Sequence, residues 1–287
     1  MAGKGMAGGG GGPSSWWSSL WNVNIPWLKS LMPRRVFQLW RAALHCEDPT
    51  VPTPSGTVRK VGPLLAMFKE RCNVVYIPTR DISYDEATAE FGGRTTKLKH
   101  LQSRYKPFDG IRIYCTAEAS TGYVSNFRVD QRDGTTIEDQ MFDVFTPYEG
   151  LGYNVWADNL FISVHSLKRA KDLGINLAGT ARGGANSGFP SELFNSKDVK
   201  ETGNWATMSA EPGINAYVWE DASRVRLMSN HVASEDSSVL RRKRGFKNRL
   251  MILAPLIAFL YNLFMGGVDR ADALRAAFTT RLKSNKW

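Results

Sequence analysis

Four aspartates stand where predicted strands or helices begin or end, and such positions can bring carboxylates together. Asp85 closes a strand-like segment, and Asp158 directly follows a short buried strand. Asp269 and Asp272 are three residues apart, so they share a face of the first turn of a late helix. Carboxylates from two strands and a helix can hold two divalent metal ions, which clamp the attacking and leaving oxygens of a phosphodiester. The pattern therefore indicates metal-dependent phosphoryl transfer.

Each acid also has a simpler structural interpretation. A helical pattern follows Asp158, with Leu160, Val164 and Leu167 on one face, and Asp is a preferred N-cap residue. Acids in a first turn, such as Asp269, are favoured by the helix dipole alone. Capping and metal binding both stay open on these grounds.

The charge balance indicates a polyanionic partner. The chain of 287 residues has a formal net charge of +10 and a pI of about 9.6, which suits nucleic acid or an acidic membrane surface. The densest basic run, 241–249, fits a phosphate-contacting strip, a nuclear-localisation signal or simply a solvated face. The apolar stretch 250–264 contains Pro255 and is too short to span a bilayer, so we expect a buried helix there and no membrane partner.

The cysteines and histidines exclude several classes of site. The three cysteines form no CxxC pair, and the four histidines show no ligand spacing. A disulfide scaffold and a cysteine zinc site are therefore disfavoured, and we expect no small-molecule cofactor. Any metal would be bound by oxygen ligands, which suit Mg²⁺ or Mn²⁺.

Hydrophobic periodicity predicts an α/β layer with mixed strand pairing. The expected order is a strand over 73–86, a hairpin turning near Gly122, a helix with a capping box at Thr135 and Glu138, the strand before Asp158, a helix, and a strand over 176–182. Residues 183–240 break this pattern, and we expect an inserted piece that does not continue the sheet.

The predicted domain organisation follows from these changes in composition and hydrophobic periodicity along the chain. Helices are expected over 33–45 and 61–72, with the tryptophans near them packed in a core. The expected units are a disordered Gly-rich tail (1–15), a helical N-terminal region (16–75), the first part of a catalytic domain (76–182), an insertion subdomain (183–248) and the final helices of the catalytic domain (249–287).

Seven segments, in order, resemble the catalytic domain of piggyBac-type transposases. They are SYDEATAEFGGR (83–94), KP followed by GIRIY (106–114), STGYVSNF (120–127), VWADNLFIS (155–163), INLAGTAR (175–182), VWEDASRVRLMSN (218–230) and YNLFMGGVDRAD (261–272). The set is specific, above all the pattern YNxxMGGVDxxD. The resemblance implies an RNase H-like mixed sheet flanked by helices, with 183–248 as an insertion between the second and third catalytic acids.

The same resemblance implies the site and its chemistry. The family's catalytic acids match Asp85, Asp158 and Asp269, which would hold two Mg²⁺ or Mn²⁺ ions, and a fourth carboxylate matches Asp272. Water activated by the metal would cut at the ends of a transposable element, and the freed 3′-hydroxyl would form a hairpin and later join target DNA. Double-stranded DNA is the expected partner, a homodimer is possible, and the nucleus is the expected location. The expected DNA contacts are basic: Arg94, Lys97, Arg241, Arg242, Lys243, Arg244 and Lys247.

The chain departs from the family at identifiable points. In the segment Phe91-Gly92-Gly93-Arg94, Gly92 stands where the family pattern FxGR usually has a basic residue, and the pair at 108–109 includes an acid. The family's core continues past the position of Trp287, and many members add a cysteine-rich zinc module, so we expect a C-terminally truncated copy. The alternative function is an inactive or domesticated domain that binds DNA without catalysis.

Overall fold

The computed structural model describes residues 17, 26–43, 46, 48, 50, 61–90, 99–100, 110–242 and 249–277. The strands are β1 (Asp81–Glu90), β2 (Lys99–His100), β3 (Gly110–Glu118), β4 (Val124–Val129), β5 (Asn154–Ala157), β6 (Asn176–Thr180), β7 (Trp205–Glu211), β8 (Ile214–Glu220), β9 (Arg224–Ser229), β10 (Asp236–Arg242) and β11 (Arg249–Pro255). The helices are α1 (Pro26–Leu31), α2 (Arg34–Ala43), α3 (Gly62–Val75), α4 (Ile137–Phe145), α5 (Val164–Asp172), α6 (Ser191–Phe194), α7 (Leu256–Phe264) and α8 (Gly267–Ala277).

One mixed sheet organises the chain. Its strands lie in the order β2-β3-β1-β5-β6-β9-β8-β7, and β4 pairs with β3 on the side away from β1, further along β3 than β2 does. The pairs β1–β5 and β5–β6 are parallel, and the other pairs in this sheet are antiparallel. The predicted hairpin is confirmed as β3–β4, and the predicted mixed α/β layer is confirmed with it. Strands β10 and β11 form a separate two-stranded sheet.

Both faces of the sheet are buried at its centre. Val155 and Ala157 point into a core formed with α4 and α5, whereas Trp156 points into a second core formed with β8, β9 and α7. The side chains of a strand alternate between faces, so a strand covered on both sides is apolar throughout. This is why the continuous apolar run before Asp158 correctly predicted a buried strand.

The predicted strand over 73–86 begins too early. Helix α3 continues to Val75, and β1 starts only at Asp81. Val74 and Val75 are exposed, so their β-branched side chains add no packing that would favour a strand. Tyr76 is extended and Pro78 follows it, which ends the helix. Asp85 consequently lies in the middle of a strand and not at its end.

The expectation that 183–240 does not continue the sheet is wrong for β7, β8 and β9. Strand β9 pairs antiparallel with β6, with Gly179 opposite Met228, and β8 and β7 extend the sheet beyond it. The apolar residues of β8 are buried, so this segment belongs to the same core. The glycines that broke the pattern mark turns such as the one at Gly213, where φ is 76°. The domain boundaries themselves stay predictions.

The buried helix expected over 250–264 is instead a strand followed by a helix. Pro255 ends β11 and caps α7, because proline disrupts a helix interior but is tolerated at its start. Much of this stretch is exposed, including Met251 at 61% and Leu263 at 55%. In the part of the chain that the structure describes, no helix is long and apolar enough to cross a membrane.

The N-terminal helices form as predicted, but their aromatic residues do not pack in a core. Helices α2 and α3 match the predicted helices over 33–45 and 61–72. Trp27 and Trp40 are more than half exposed, and no residue of α3 is buried. The expected core packing of these tryptophans is therefore wrong. The predicted capping box is also shifted by one residue, since Thr136 caps α4 by accepting a hydrogen bond from the Asp139 amide.

Candidate active site

Parallel pairing places two of the predicted acids side by side. The register of β1 with β5 ends at Tyr84 opposite Ala157, so the next residues along the two strands are Asp85 and Asp158. Strand β3 pairs with the other side of β1 and sets Cys115 opposite Asp85. Ligands of open α/β sheets bind beyond the carboxyl ends of parallel strands, and Asp158 lies at such an end.

Asp158 does not cap the helix that follows it. Helix α5 begins at Val164, and its N-cap is Ser163, whose hydroxyl accepts from the Ser166 amide at 3.0 Å. The Oδ1 atom of Asp158 accepts from the Leu160 amide at 2.7 Å, which closes a tight turn after β5. Its Oδ2 atom accepts no hydrogen bond from the described residues. The capping interpretation is therefore wrong, and one carboxylate oxygen is available to a ligand.

The start of α8 is fixed against β1 and β3 by close backbone packing. The Val268 amide donates to Ser83 Oγ at 3.0 Å. A Cβ atom at Gly267 would lie 2.4 Å from Ser83 Oγ and 2.8 Å from the Glu118 carbonyl oxygen, so only glycine fits there. This contact places Asp269, two residues further on, over the strands that carry the other acids.

The pKa of Asp85 depends on its burial and on the charges of nearby acids. Burial raises the pKa of Asp85 to about 7, although its hydrogen bond from the Glu86 amide opposes the shift. The negative charges of Asp158, Glu86 and Asp269 raise this pKa further. The structure therefore places Asp158 and Asp269 within electrostatic reach of Asp85.

Tyr261 on α7 lies close to the same three acids. Burial raises the pKa of its phenol to about 12, a hydrogen bond with Thr180 opposes this shift, and the charges of the three aspartates add to it. Tyr261 was not predicted as a site residue. The available signal was its place in the motif YNLFMGGVDRAD, eight residues before Asp269.

Asp272 occupies a different environment from the other three acids. It pairs with Arg275 at 3.0 Å, and Arg275 also donates to the Thr88 carbonyl oxygen at 2.8 Å. Burial raises the pKa of the Cys115 thiol to about 12, and the charges of Asp272 and Asp85 contribute to this shift. Asp272 thus lies over Cys115 while its carboxylate is bound to an arginine.

A buried glutamate that sequence reasoning missed supports this arrangement. Glu118 accepts hydrogen bonds from Tyr76 and Thr121 hydroxyls and from the Thr79 amide. Burial alone would raise the pKa of Glu118, but these hydrogen bonds outweigh it and lower the pKa to about 2. The bonds hold the turn that follows β3, and Gly122 of that turn packs on α8 with space for no side chain. Only the inward position of Glu118 on an alternating strand could have signalled its role.

The carboxylates fit a divalent cation by charge, but as they stand they do not form a closed set of ligands. Within the described ranges, no group of three His, Cys, Asp or Glu side chains is arranged to hold a metal ion. Ionisation of Asp85 beside other negative charges nevertheless destabilises the folded protein. A bound cation would offset this electrostatic repulsion. Carboxylate oxygens are the ligands that Mg²⁺ and Mn²⁺ prefer.

The predicted DNA contacts are mostly outside the described residues. Arg94, Lys97, Lys243, Arg244 and Lys247 lie there, as does the Arg242 side chain. Arg241 is described, and it pairs with Asp221 at 3.0 Å while its guanidinium lies 5.5 Å from the centroid of the Trp219 ring. Its charge is therefore balanced within the protein.

Comparison with solved structures defines the fold class. The chain superposes on a piggyBac transposase, solved by cryo-electron microscopy as a synaptic complex with hairpin DNA, with a TM-score of 0.72. The identity is 21%, and the match covers 90% of this chain and 54% of the other. The mixed sheet with its flanking helices is thus RNase H-like.

Sequence comparison then gives the family. The family model described as Transposase IS4 matches residues 12–287, and the chain belongs to that family. Two curated human proteins are also similar: PiggyBac transposable element-derived protein 3 is 24% identical over 94% of this chain, and PiggyBac transposable element-derived protein 2 is 27% identical over 88%. The matches cover 47% and 44% of those relatives, so the chain spans about half their length. The predicted piggyBac-type resemblance is confirmed.

We expect Gly267→Ala to destabilise the protein by about 1–3 kcal/mol, because the added methyl group would collide with Ser83 and the end of β3. Gly266→Ala is the matched control, since a Cβ there meets nothing within 4 Å. Thermal unfolding of both variants measures the difference. Equal melting temperatures would show that α8 does not depend on this contact.

We expect Asp85→Asn to stabilise the metal-free protein at pH 8. The pKa of Asp85 is higher in the folded protein than the ordinary 3.8, so the folded state binds the extra proton and wild-type stability falls as pH rises from about 4 to about 7. Asparagine keeps the neutral form, and the gain above pH 7 is up to about 4 kcal/mol at about 1.4 kcal/mol per pKa unit.

Chemical denaturation at pH 4 and at pH 8, in the presence of a chelator, tests this expectation. The exposed Asp198, changed to Asn, is the control for loss of a charge. A stability difference between wild type and Asp85→Asn that is the same at both pH values would contradict the raised pKa.

Proposed function

We propose that this chain is the catalytic domain of a piggyBac-like DNA transposase that cleaves and transfers DNA strands. The observation that carries the proposal is that Asp85 lies beside Asp158 and near Asp269, where burial, and then the charges of these two acids, raise the pKa of Asp85. A buried carboxyl group whose pKa is raised and that lies near other acids is typical of a catalytic site.

The position of each of the three acids determines its role as a metal ligand. Asp85 is held in the middle of β1 between two neighbouring strands, so it provides a fixed ligand. Asp158 offers a free oxygen from a tight turn, and Asp269 reaches the cleft from α8. Mg²⁺ or Mn²⁺ bound by these residues would activate water and stabilise charge on the phosphate. Asp272, paired with Arg275, would orient the helix that carries Asp269.

Double-stranded DNA is the proposed partner. The net charge of +10 supports a polyanionic partner, and the structural neighbour is a transposase in a synaptic complex with hairpin DNA. A homodimer and a nuclear location are part of the same proposal, the second because the basic run 241–249 resembles an import signal.

The second candidate function is DNA binding without catalysis. Two observations favour it: the described acids do not form a closed set of metal ligands, and the human relatives are described as transposable element-derived proteins. The two functions differ in whether the carboxylates bind metal, so one experiment separates them.

We expect Asp158→Asn to abolish nicking of supercoiled plasmid DNA in Mg²⁺ and in Mn²⁺ while the fold is retained, because the variant loses a charged metal ligand. Asp198→Asn, at an exposed position, is the matched control and should cut at the wild-type rate. Gel electrophoresis of the plasmid measures cutting, and calorimetric titration measures metal binding. A wild-type chain that neither cuts nor binds metal would favour the second function.

We expect replacement of Arg242, Lys243, Arg244 and Lys247 by Ala to weaken DNA binding and flatten its salt dependence. The slope of log K against log salt should fall by about 0.9 for each phosphate contact that is lost. Arg241 is left in place because it pairs with Asp221. Fluorescence anisotropy with a labelled duplex measures the effect, and Lys197→Ala with Lys200→Ala controls for loss of exposed positive charge. An unchanged slope would make the run a solvated face or an import signal only.

A further inference from the structure

A cavity of about 530 Å³ lies beyond the carboxyl end of β6. Strand β6 is the parallel neighbour of β5, so this end of the sheet is the one that also holds Asp158. Arg182 donates to Asn159 Oδ1 at 2.9 Å and joins the segment after β6 to the segment after β5. The cavity and Asp158 therefore lie at the same end of the parallel strands, with the cavity on the face covered by α5 and α6 and Asp85 on the face covered by α8.

Arg226 on β9 lines this cavity with an unused guanidinium group. The group lies 3.5 Å from the centroid of the Phe194 ring, and it makes no hydrogen bond or ion pair with the described residues. Arg224, two residues earlier, contrasts with it, because it donates to Glu220 at 2.9 Å and to the Phe194 carbonyl oxygen at 2.6 Å. A guanidinium carries five N–H donors that match phosphate oxygens, and stacking on a ring leaves those donors free at its edge.

A glycine-rich turn forms another wall of the cavity. The amides of Gly183 and Gly184 donate to no acceptor among the described residues, and a Cβ at Gly183 would lie 3.0 Å from the Arg226 guanidinium. Gly188, with φ at 68°, packs against Val164 at the start of α5 and holds the turn in place. Free backbone amides beside a positive side chain are a recurring arrangement for binding phosphate.

From these contacts we infer that the cavity binds a backbone phosphate of the DNA strand that enters the carboxylate site. The inference rests on the proposed function for the identity of the strand. A phosphate held at this end of the strands would keep the DNA beside the acids, whose negative charges repel it. Glu192 is the one acid among the lining residues, and it makes no ion pair with Arg226.

The test measures DNA binding without cutting. A labelled duplex is titrated with the full chain in a chelator, using wild type, Arg226→Gln and Arg80→Gln. Arg80 precedes β1 and lies at the opposite edge of the sheet, so it controls for loss of one positive charge. We expect Arg226→Gln to raise Kd about fivefold to tenfold and to lower the salt slope by about 0.9, while Arg80→Gln matches wild type.

A second pair of variants keeps Arg226 in place. Gly183→Asp sets a carboxylate beside the guanidinium, whereas Gly183→Asn sets a neutral group of the same size there. We expect the Asp variant to weaken binding as Arg226→Gln does and the Asn variant to bind more tightly than the Asp variant. Equal binding by the Asp and Asn variants would overturn the inference, as would an Arg226→Gln variant that keeps the wild-type Kd and salt slope.

An abasic oligonucleotide, which has phosphates and sugars but no bases, separates phosphate from base recognition. The effect of Arg226→Gln should persist on this probe, and its loss would overturn the assignment to a phosphate. Failure of the proposed function has a different signature, namely plasmid nicking that is absent or insensitive to Asp158→Asn. Binding that depends on Arg226 in a chain that does not cut would support the cavity while rejecting catalysis.

Discussion

The parallel pairing of β1 with β5 is the constraint on which the rest of the site depends. It fixes Asp85 beside Asp158 within a sheet whose centre is buried on both faces. That burial makes the charge of Asp85 costly, as its raised pKa shows. Packing of α4, α5 and α7 on the sheet supplies the stability that keeps like charges together. The protein thus holds an electrostatically unfavourable arrangement that a cation would relieve, whereas acids that merely cap a helix are stabilised by the helix dipole.

The third acid depends on a chain of contacts that begins elsewhere. Glu118 ties the segment before β1 to the turn after β3, and Gly122 of that turn packs against α8. Gly267 lets the helix approach the strands until the Val268 amide reaches Ser83. The motifs that contain Gly122 and Gly267 therefore contribute to structure, and the second of them also supplies aspartates. Their small residues determine how closely α8 packs on the sheet.

Sequence patterns predicted the elements whose structure depends on residues close together in the sequence. The strand before Asp158 could be predicted because a short apolar run buried on both faces has few alternatives. The pairing of β9 with β6 could not, because it joins residues about 50 positions apart in sequence, and no periodicity records it. An apolar stretch such as 250–264 fits a strand or a helix equally well until the partner strand is known. Arg241 shows the same limit for charge, since its pairing with Asp221 is a tertiary contact.

The candidate site combines elements that differ in the free energy of their local unfolding. Asp85 lies in a central strand and Asp158 directly follows another, and such strands open only when the whole domain unfolds. Asp269 is carried by α8, whose outer residues, including Leu274, are exposed and whose attachment rests on its first turn, on the turn at Gly122 and on Arg275. Elements with few buried contacts exchange with open forms at lower free energy than the core. Two acids therefore share the cooperativity of the sheet, whereas we expect the third, carried by a helix at the surface, to open at lower free energy without any strand breaking.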